Sequence, residues 1–86
     1  MESMEQNDIQ LSIMSPERIL FKGNVASVTL PGKMGEFTVL LNHEALISSL
    51  TTGEIKYVNE EGEQSLSIAG GFVDINKNVV SVCVEQ

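Results

Sequence analysis

The sequence predicts an all-β fold, an antiparallel β-sandwich of about ten short strands, and three observations indicate it. Apolar residues recur at every second position, as at Ile9, Leu11 and Ile13, which is the period of a strand with one buried face. Turn-forming residues recur at roughly 6 to 12 positions, close to the spacing of strands in a sandwich or barrel. No window keeps the period of a helix.

The first half of the chain contains four of these strands. The first ends at the turn of residues 15–18, whose proline has the backbone dihedral that a β-turn needs. A short strand is expected at residues 19–22 and ends at the Gly-Asn pair of residues 23–24. The next is expected at residues 25–30, with Pro-Gly at residues 31–32 closing it before a strand over residues 36–41.

The second half shows the same alternation. The expected elements in order are an apolar run at residues 46–50, a turn at 51–53, a strand around 55–57, a hairpin tip at 60–63, a strand at 65–69, a turn at 76–78 and a last strand at 79–85. Adjacent glycines at Gly70 and Gly71 without a charged turn indicate a bulge or a close approach of two backbones. In the last strand one face carries three valines and the opposite face carries Val79, Ser81 and Cys83.

Length and composition set the size of the core. The 86 residues make one domain, predicted at residues 8–86 after a flexible tail of residues 1–7. At this size the chain buries about 60–65% of its unfolded surface, so the core is thin. Because only three Phe and one Tyr are present, the core must be built from Val, Ile and Leu.

The acidic balance limits the partners. A net charge of −7 disfavours binding to nucleic acid and to anionic lipid, so any partner surface should be neutral or basic. A single cysteine cannot form an internal disulfide, and the acidic start of the chain is unlike a signal peptide. No window reaches the about 20 apolar residues of a membrane span. We therefore expect a soluble protein in a reducing compartment.

The reactive side chains do not form a catalytic pattern. Cys83 and His43 are one nucleophile and one base, and the strand position of Cys83 is unlike that of an activated thiol. One His and one Cys cannot close a zinc site. The glycines of residues 31–36 lack the spacing of a phosphate-binding loop, and Glu36 would repel a phosphate. We expect no catalytic residue, no metal and no cofactor.

Several motifs together carry a family resemblance. They are a turn after the first strand, a Gly-x-x-Gly-Glu loop at residues 32–36, a histidine at the following bend, a Gly turn after the Leu-Ile run and Gly-Gly-Phe at residues 70–72. The stretches that contain them are SPERILFKGNV, SVTLPGKMGEFTVLLNHEALISSLTTGEI and LSIAGGFVDINKNVVSVCVE. In this order and spacing, from about Asp8 to Glu85, the chain resembles the N-terminal β-sandwich of the ε subunit of bacterial F-type ATP synthase, whose mitochondrial counterpart is called δ.

The resemblance implies a non-catalytic role in the rotor. The expected partners are the γ subunit and the c ring of a proton-translocating ATP synthase, which the subunit couples during ATP synthesis at the cytoplasmic face of the bacterial inner membrane. No nucleic acid and no inserted lipid are expected as partners, and the isolated domain should be a monomer. By resemblance the candidate contacts to the c ring are Gly32, Lys33, Met34, Gly35, Glu36, Asn42 and His43. The candidate contacts to γ are Val79, Ser81 and Cys83, because a large exposed apolar patch marks a partner surface.

Two departures from the family pattern accompany the resemblance. Many members carry an acidic residue just before the second glycine of the loop, where this chain has Lys33 and Met34. Typical bacterial members continue into two α-helices, and we expect this chain to lack that helical hairpin. A different class of function also fits the composition: a free-standing β-sandwich that binds a ligand or peptide in a concave pocket with converging polar groups.

Overall fold

The computed structural model describes residues 8–86, and all of its regular structure is strand, which confirms the all-β prediction. The predicted tail of residues 1–7 lies outside the described residues. Residues 8–86 form nine strands, where about ten were expected. They are β1 (Ile9–Met14), β2 (Ile19–Val25), β3 (Ser27–Gly32), β4 (Gly35–Val39), β5 (Leu46–Leu50), β6 (Gly53–Asn59), β7 (Gly62–Ile68), β8 (Gly70–Asn76) and β9 (Val79–Glu85).

The nine strands form one hydrogen-bonded sheet. Its order is β2-β1-β9-β8-β5-β3-β6-β7, and β4 pairs with β3 outside this path. All pairs are antiparallel except β1 and β9, which run parallel with Gln10 opposite Val79 and Met14 opposite Cys83. The sheet is thus mostly antiparallel, as predicted, and its one parallel pair joins the first and last strands in its interior.

The sheet folds over on itself to make two layers. Phe21 of β2 stacks on Tyr57 of β6, with ring centroids 4.4 Å apart, although these strands are first and seventh in the sheet order. Just past β2, the N–H of Ala26 donates to the carbonyl of Val58 on β6 at 2.8 Å. This closure brings two inner faces together and confirms the sandwich.

The core between these faces is aliphatic, as the composition predicts. Its buried side chains are Ile9, Leu11, Ile13, Val25, Val28, Leu30, Val39, Leu50, Ile55, Ile68, Val73, Ile75, Val80, Val82 and Val84. Among residues 8–86 no polar or charged side chain is buried. Each such aliphatic side chain stabilises the fold by roughly 1.5–3 kcal/mol through burial. The fold therefore depends on apolar packing, and polar groups are left for the surface.

Strand β2 is longer than the sequence predicts. Gly23 and Asn24, expected to end it, remain in the ladder opposite Leu11 and Gln10 of β1. The break falls instead at Ala26, which is a bend and is exposed. A Gly-Asn pair is a turn signal only where the chain must reverse, and here the long ladder to β1 keeps it extended.

Strand β3 also continues through its expected end at residues 31–32. Pro31 lies between two ladders, because β3 pairs with β6 up to Thr29 and with β5 at Gly32, so a missing N–H is tolerated there. Gly32 fits because a Cβ at this position would lie 2.6 Å from the carbonyl oxygen of Gly35 and 2.8 Å from the ring of Phe37. The reversal itself comes two residues later.

Three other predicted turns, at residues 15–18, 60–63 and 76–78, are confirmed. The N–H of Ser15 donates to the carbonyl of Arg18 at 2.9 Å, and the β6–β7 hairpin turns before Gly62, which has φ 104°. The β8–β9 turn has positive φ at Lys77 and Asn78, 54° and 66°, as the favoured two-residue hairpin turn requires.

Candidate functional site: two contact surfaces

The β3–β4 tip, residues 32–36, is a two-residue turn on a fixed base. Met34 is 97% exposed at its end. The N–H of Lys33 donates to the carbonyl of Ser49 at 3.0 Å, and the N–H of Thr51 donates to the carbonyl of Pro31 at 2.9 Å. These bonds join the hairpin to the end of β5, so the exposed turn is held by backbone contacts.

The tip carries a mixed set of side chains. Lys33 and Glu36 are exposed and give it one positive and one negative charge. Gly35 adopts φ 132°, a conformation that favours glycine, and Gly32 is buried. The tip can therefore bind another protein surface through charge pairs and through the flexible apolar side chain of Met34.

The bend at Asn42 and His43 lies in the crossover from β4 to β5. The N–H of Asn42 donates to Oδ1 of Asn78 at 2.6 Å, and the N–H of His43 donates to the carbonyl of Leu40 at 3.2 Å. The Nδ1 of His43 lies 2.7 Å from the carbonyl oxygen of Glu44. Because a carbonyl only accepts, Nδ1 carries the proton in this bond and Nε2 points elsewhere.

The structure does not bring the tip and the bend together. The five residues of β4 (Gly35–Val39) separate them, about 17 Å of extended chain. The tip lies at the Ser49 end of β5, whereas the bend lies against the β8–β9 turn, where Asn78 precedes Val79. The seven ring-contact candidates thus form two groups.

The three γ-contact candidates do lie together on the outer face of β9. Val79 is exposed, and Ser81 and Cys83 are half-buried, while the three valines between and beyond them are in the core. The register extends this face across four strands. Ile19, Met14, Cys83 and Phe72 stand opposite one another in turn on β2, β1, β9 and β8, and we call them the apolar row.

Sequence reasoning missed most of the apolar row. Phe72 is 52% exposed and Ile19 is 58% exposed, and a hollow of about 370 Å³ lies beside Met14, Phe72 and Cys83. One signal could have found Phe72: since Val73 and Ile75 alternate into the core, the residue before them must face outward. Met14 and Ile19 come into line only through long-range register.

A second concavity lies where the sheet closes. This groove has a volume of about 640 Å³, with Phe21 in it and Asn24, Asn59, Glu60 and Glu61 around it. The two glutamates are exposed. Burial raises the pKa of the nearby Tyr57 phenol, which stacks on Phe21, above its usual value. The groove is the place where the alternative function, ligand binding, would have to occur.

The reactive side chains remain apart in the fold. Asn42, the residue before His43, bonds to Asn78 just before β9, and Cys83 lies five residues further along, about 16 Å of strand away. Within residues 8–86 no group of three or more His, Cys, Asp and Glu side chains could hold a metal ion. No helix in this part of the chain is long and apolar enough to cross a membrane.

The fold and its surfaces define a class of protein: a β-sandwich domain with one anchored, exposed loop and one exposed apolar row. Comparison with known proteins identifies the family. Residues 8–86 match the family described as the ATP synthase Delta/Epsilon chain, beta-sandwich domain, and the chain belongs to it.

Two curated relatives carry the name ATP synthase epsilon chain. One from Leptospira interrogans (strain Fiocruz L1-130) is 39% identical over 83 residues, which is 96% of this chain and 65% of the relative. One from Aliarcobacter butzleri is 40% identical over 77 residues, 90% of this chain and 62% of the relative. The chain thus spans less than two thirds of the length of these relatives.

Solved structures agree on the fold. A chain of the Euglena gracilis mitochondrial ATP synthase, in a structure of OSCP, F1 and c-ring, superposes with a TM-score of 0.87 at 25% identity, covering 99% of this chain and 55% of that one. A chain of the Tetrahymena thermophila mitochondrial ATP synthase central stalk and c-ring superposes with a TM-score of 0.76 at 14% identity, covering 98% and 67%. The second likeness shows the fold alone.

Proposed function

We propose that this chain is a non-catalytic rotor subunit of a proton-translocating F-type ATP synthase, which couples the γ subunit to the c ring during ATP synthesis. Its family membership supports the complex, and the Euglena relative was solved with F1 and c-ring. The observation that carries the mechanism is geometric: the anchored β3–β4 tip and the apolar row are both carried by one closely packed core, and they adjoin where Lys33 bonds to Ser49, the partner of Phe72. A body of this kind can transmit torque because packed interiors deform little.

The β3–β4 tip is the proposed contact to the c ring. Met34 is almost fully exposed, and the bonds to β5 hold the turn so that it can seat repeatedly on a ring of similar loops. Glu36, exposed on the tip, supplies a carboxylate for basic residues of the ring. We propose the Asn42–His43 bend as a second ring contact, which requires β4 to lie along the ring surface.

The outer face of β9 is the proposed contact to γ. Val79, Ser81 and Cys83 continue into the apolar row through Phe72 and Met14. Covering Phe72 and Ile19 would remove from water two large side chains that are each more than half exposed. This apolar surface is a stronger reason for stable binding than the surface charges, which contribute little individually.

We propose that the chain sits at the cytoplasmic face of the inner membrane, held there by its protein partners. A net charge of −7 opposes direct adsorption to an anionic leaflet. Attachment would then depend on the ring and on γ, and the isolated chain should stay in solution as a monomer.

Charge reversal at the tip tests the coupling. In the reassembled complex, Glu36→Lys should lower ATP-driven proton pumping while leaving the thermal unfolding of the chain unchanged, since Glu36 is exposed. Glu63→Lys makes the same change of charge on the exposed β6–β7 hairpin and should pump as the parent does. Equal pumping by all three proteins, or an equal loss in both variants, would contradict the role of the tip.

Cross-linking tests which surface meets which partner. In a Cys83→Ser background, Met34→Cys should cross-link to a c subunit and Phe72→Cys to γ. Glu44→Cys, next to the bend, should also reach a c subunit if β4 lies along the ring. A Met34 cross-link to γ, or a Phe72 cross-link to the ring, would overturn the assignment of the surfaces.

The alternative function, that of a free-standing ligand-binding module, would have its site in the groove around Phe21, where the sheet closes. Among residues 8–86 no polar side chain is buried to orient a ligand, and Glu60 and Glu61 in the groove are exposed. Ligand pockets are usually apolar with a few well-placed polar groups. Recovery of γ and the ring with the tagged chain supports the rotor role, and a chain that recovers neither favours the module.

A further inference from the structure

We infer that Asn78 is a positioning residue for the Asn42–His43 bend, and that the bend and the β8–β9 turn act as one rigid contact. The inference rests on the proposed function in one respect, that the bend contacts a partner. Its structural basis is the pair of hydrogen bonds in which Asn42 N–H donates to Asn78 Oδ1 at 2.6 Å and Asn78 Nδ2 donates to Asn42 Oδ1 at 3.5 Å.

The crossover needs such support. Residues 40–45 connect β4 to β5 and have no strand partner, so their conformation is set by a few hydrogen bonds and by Leu41, which packs against the core. The bond from His43 N–H to the carbonyl of Leu40 is local and closes the turn. The bonds to Asn78 link the crossover to a different hairpin, 36 residues further along the chain. Without them the bend would keep its turn and the contact of Leu41 with the core but lose its link to the β8–β9 hairpin.

The choice of residue at position 78 has two requirements. The turn requires positive φ there, observed at 66°, and both Asn and Gly tolerate this conformation. Gly would satisfy the turn but has no side chain to accept the N–H of Asn42. Asp keeps an acceptor oxygen and tolerates the same region. Asn78→Gly therefore keeps the turn and removes the hydrogen bond, whereas Asn78→Asp keeps both.

Amide hydrogen exchange of the 86-residue chain, read residue by residue by NMR, tests the bond directly. Asn78→Gly should speed the exchange of the Asn42 amide about tenfold, because one hydrogen bond protects it. Asn78→Asp should restore protection to within about threefold of the parent. Lys77→Gly is the matched control, since Lys77 shares the turn with φ 54° and makes no bond to the crossover. The intrinsic exchange rate of Asn42 is the same in all variants because its sequence neighbours do not change.

Two results would overturn the positioning role: unchanged exchange at Asn42 in Asn78→Gly, or equal acceleration in Lys77→Gly. Cross-linking in the assembled complex then separates this inference from the proposed function. With Glu44→Cys in the Cys83→Ser background, Asn78→Gly should lower the cross-link yield to the partner several-fold, and Asn78→Asp should recover it. Faster exchange with no cross-link from Glu44→Cys in any variant would support the positioning role and contradict the partner contact at the bend. Faster exchange with an unchanged cross-link yield would overturn the claim that the bond holds the bend for that contact.

Discussion

Replacing Gly71 should strongly destabilise the fold. Gly71, the second residue of β8, lies opposite Val84 of β9 with φ 152°, a conformation that side-chain-bearing residues rarely adopt. A Cβ there would overlap the carbonyl oxygen of Cys83 and lie 2.9 Å from the Cα of Val84. Because these are backbone atoms of a central strand, they cannot move aside without breaking the ladder.

The expected loss follows from two costs. Holding a non-glycine residue in such a conformation costs about 1–3 kcal/mol, and forcing extra volume into a packed site costs typically about 1–3 kcal/mol more. A mid-range value for Gly71→Ala is therefore about 4 kcal/mol. For a domain of this size about 1 kcal/mol corresponds to roughly 4–8 °C, so the melting temperature should fall by roughly 16–32 °C.

Gly70 provides a matched control one residue away. Its φ is not positive, and a Cβ there would meet only the carbonyl oxygen of Leu50 at 3.7 Å, an ordinary contact. Gly70→Ala should leave the free energy of unfolding unchanged or raise it by up to about 1 kcal/mol. Thermal and urea unfolding of both variants measure the difference. A loss below about 1 kcal/mol in Gly71→Ala, or equal losses in both, would refute the argument.

Two further predictions concern the core and Tyr57, which stacks on Phe21 where the sheet closes. Leu11→Ala should lower the free energy of unfolding in urea by about 2–5 kcal/mol because Leu11 is fully buried. Ser12→Ala, on the opposite face of β1, should change it by no more than about 0.5 kcal/mol. Equal effects of the two substitutions would contradict the assignment of the two faces. Burial raises the pKa of Tyr57 in the folded state, so its contribution to stability is fully present below about pH 10 and is lost as the pH rises through the higher folded pKa. In urea unfolding measured as a function of pH, the Tyr57→Phe variant should lose less stability than the parent above about pH 10. An identical pH dependence of the free energy of unfolding in both proteins would contradict the role of Tyr57.

Local patterns were enough to predict the strands and most of their faces. The alternation in β9 placed Val80, Val82 and Val84 in the core, and the structure confirms it. Turn chemistry located the β6–β7 and β8–β9 hairpins, because positive φ and polar tips are encoded by neighbouring residues. These features depend on interactions within a few residues, which a single sequence displays.

Long-range register was not predictable in the same way. Pro31 and Gly32 look like a turn by themselves, and only the change of β3 partner from β6 to β5 explains why they stay in the strand. The line of Met14, Cys83 and Phe72 across three strands and the Asn42–Asn78 bond likewise require knowing which segments meet. The candidate contacts were therefore identified as residues, while their grouping into surfaces was not.

The parallel pairing of β1 with β9 has a consequence for how the chain is made. Gln10 lies opposite Val79, a separation of 69 positions (79 minus 10), and both strands are interior to the sheet. During synthesis the first strand would leave the ribosome long before its neighbour, with Ile9, Leu11 and Ile13 uncovered in the meantime. Since distant pairings form slowly, the nascent chain would pass through a stage in which chaperones can bind it, and cooperative folding would begin only when the closing strand is available.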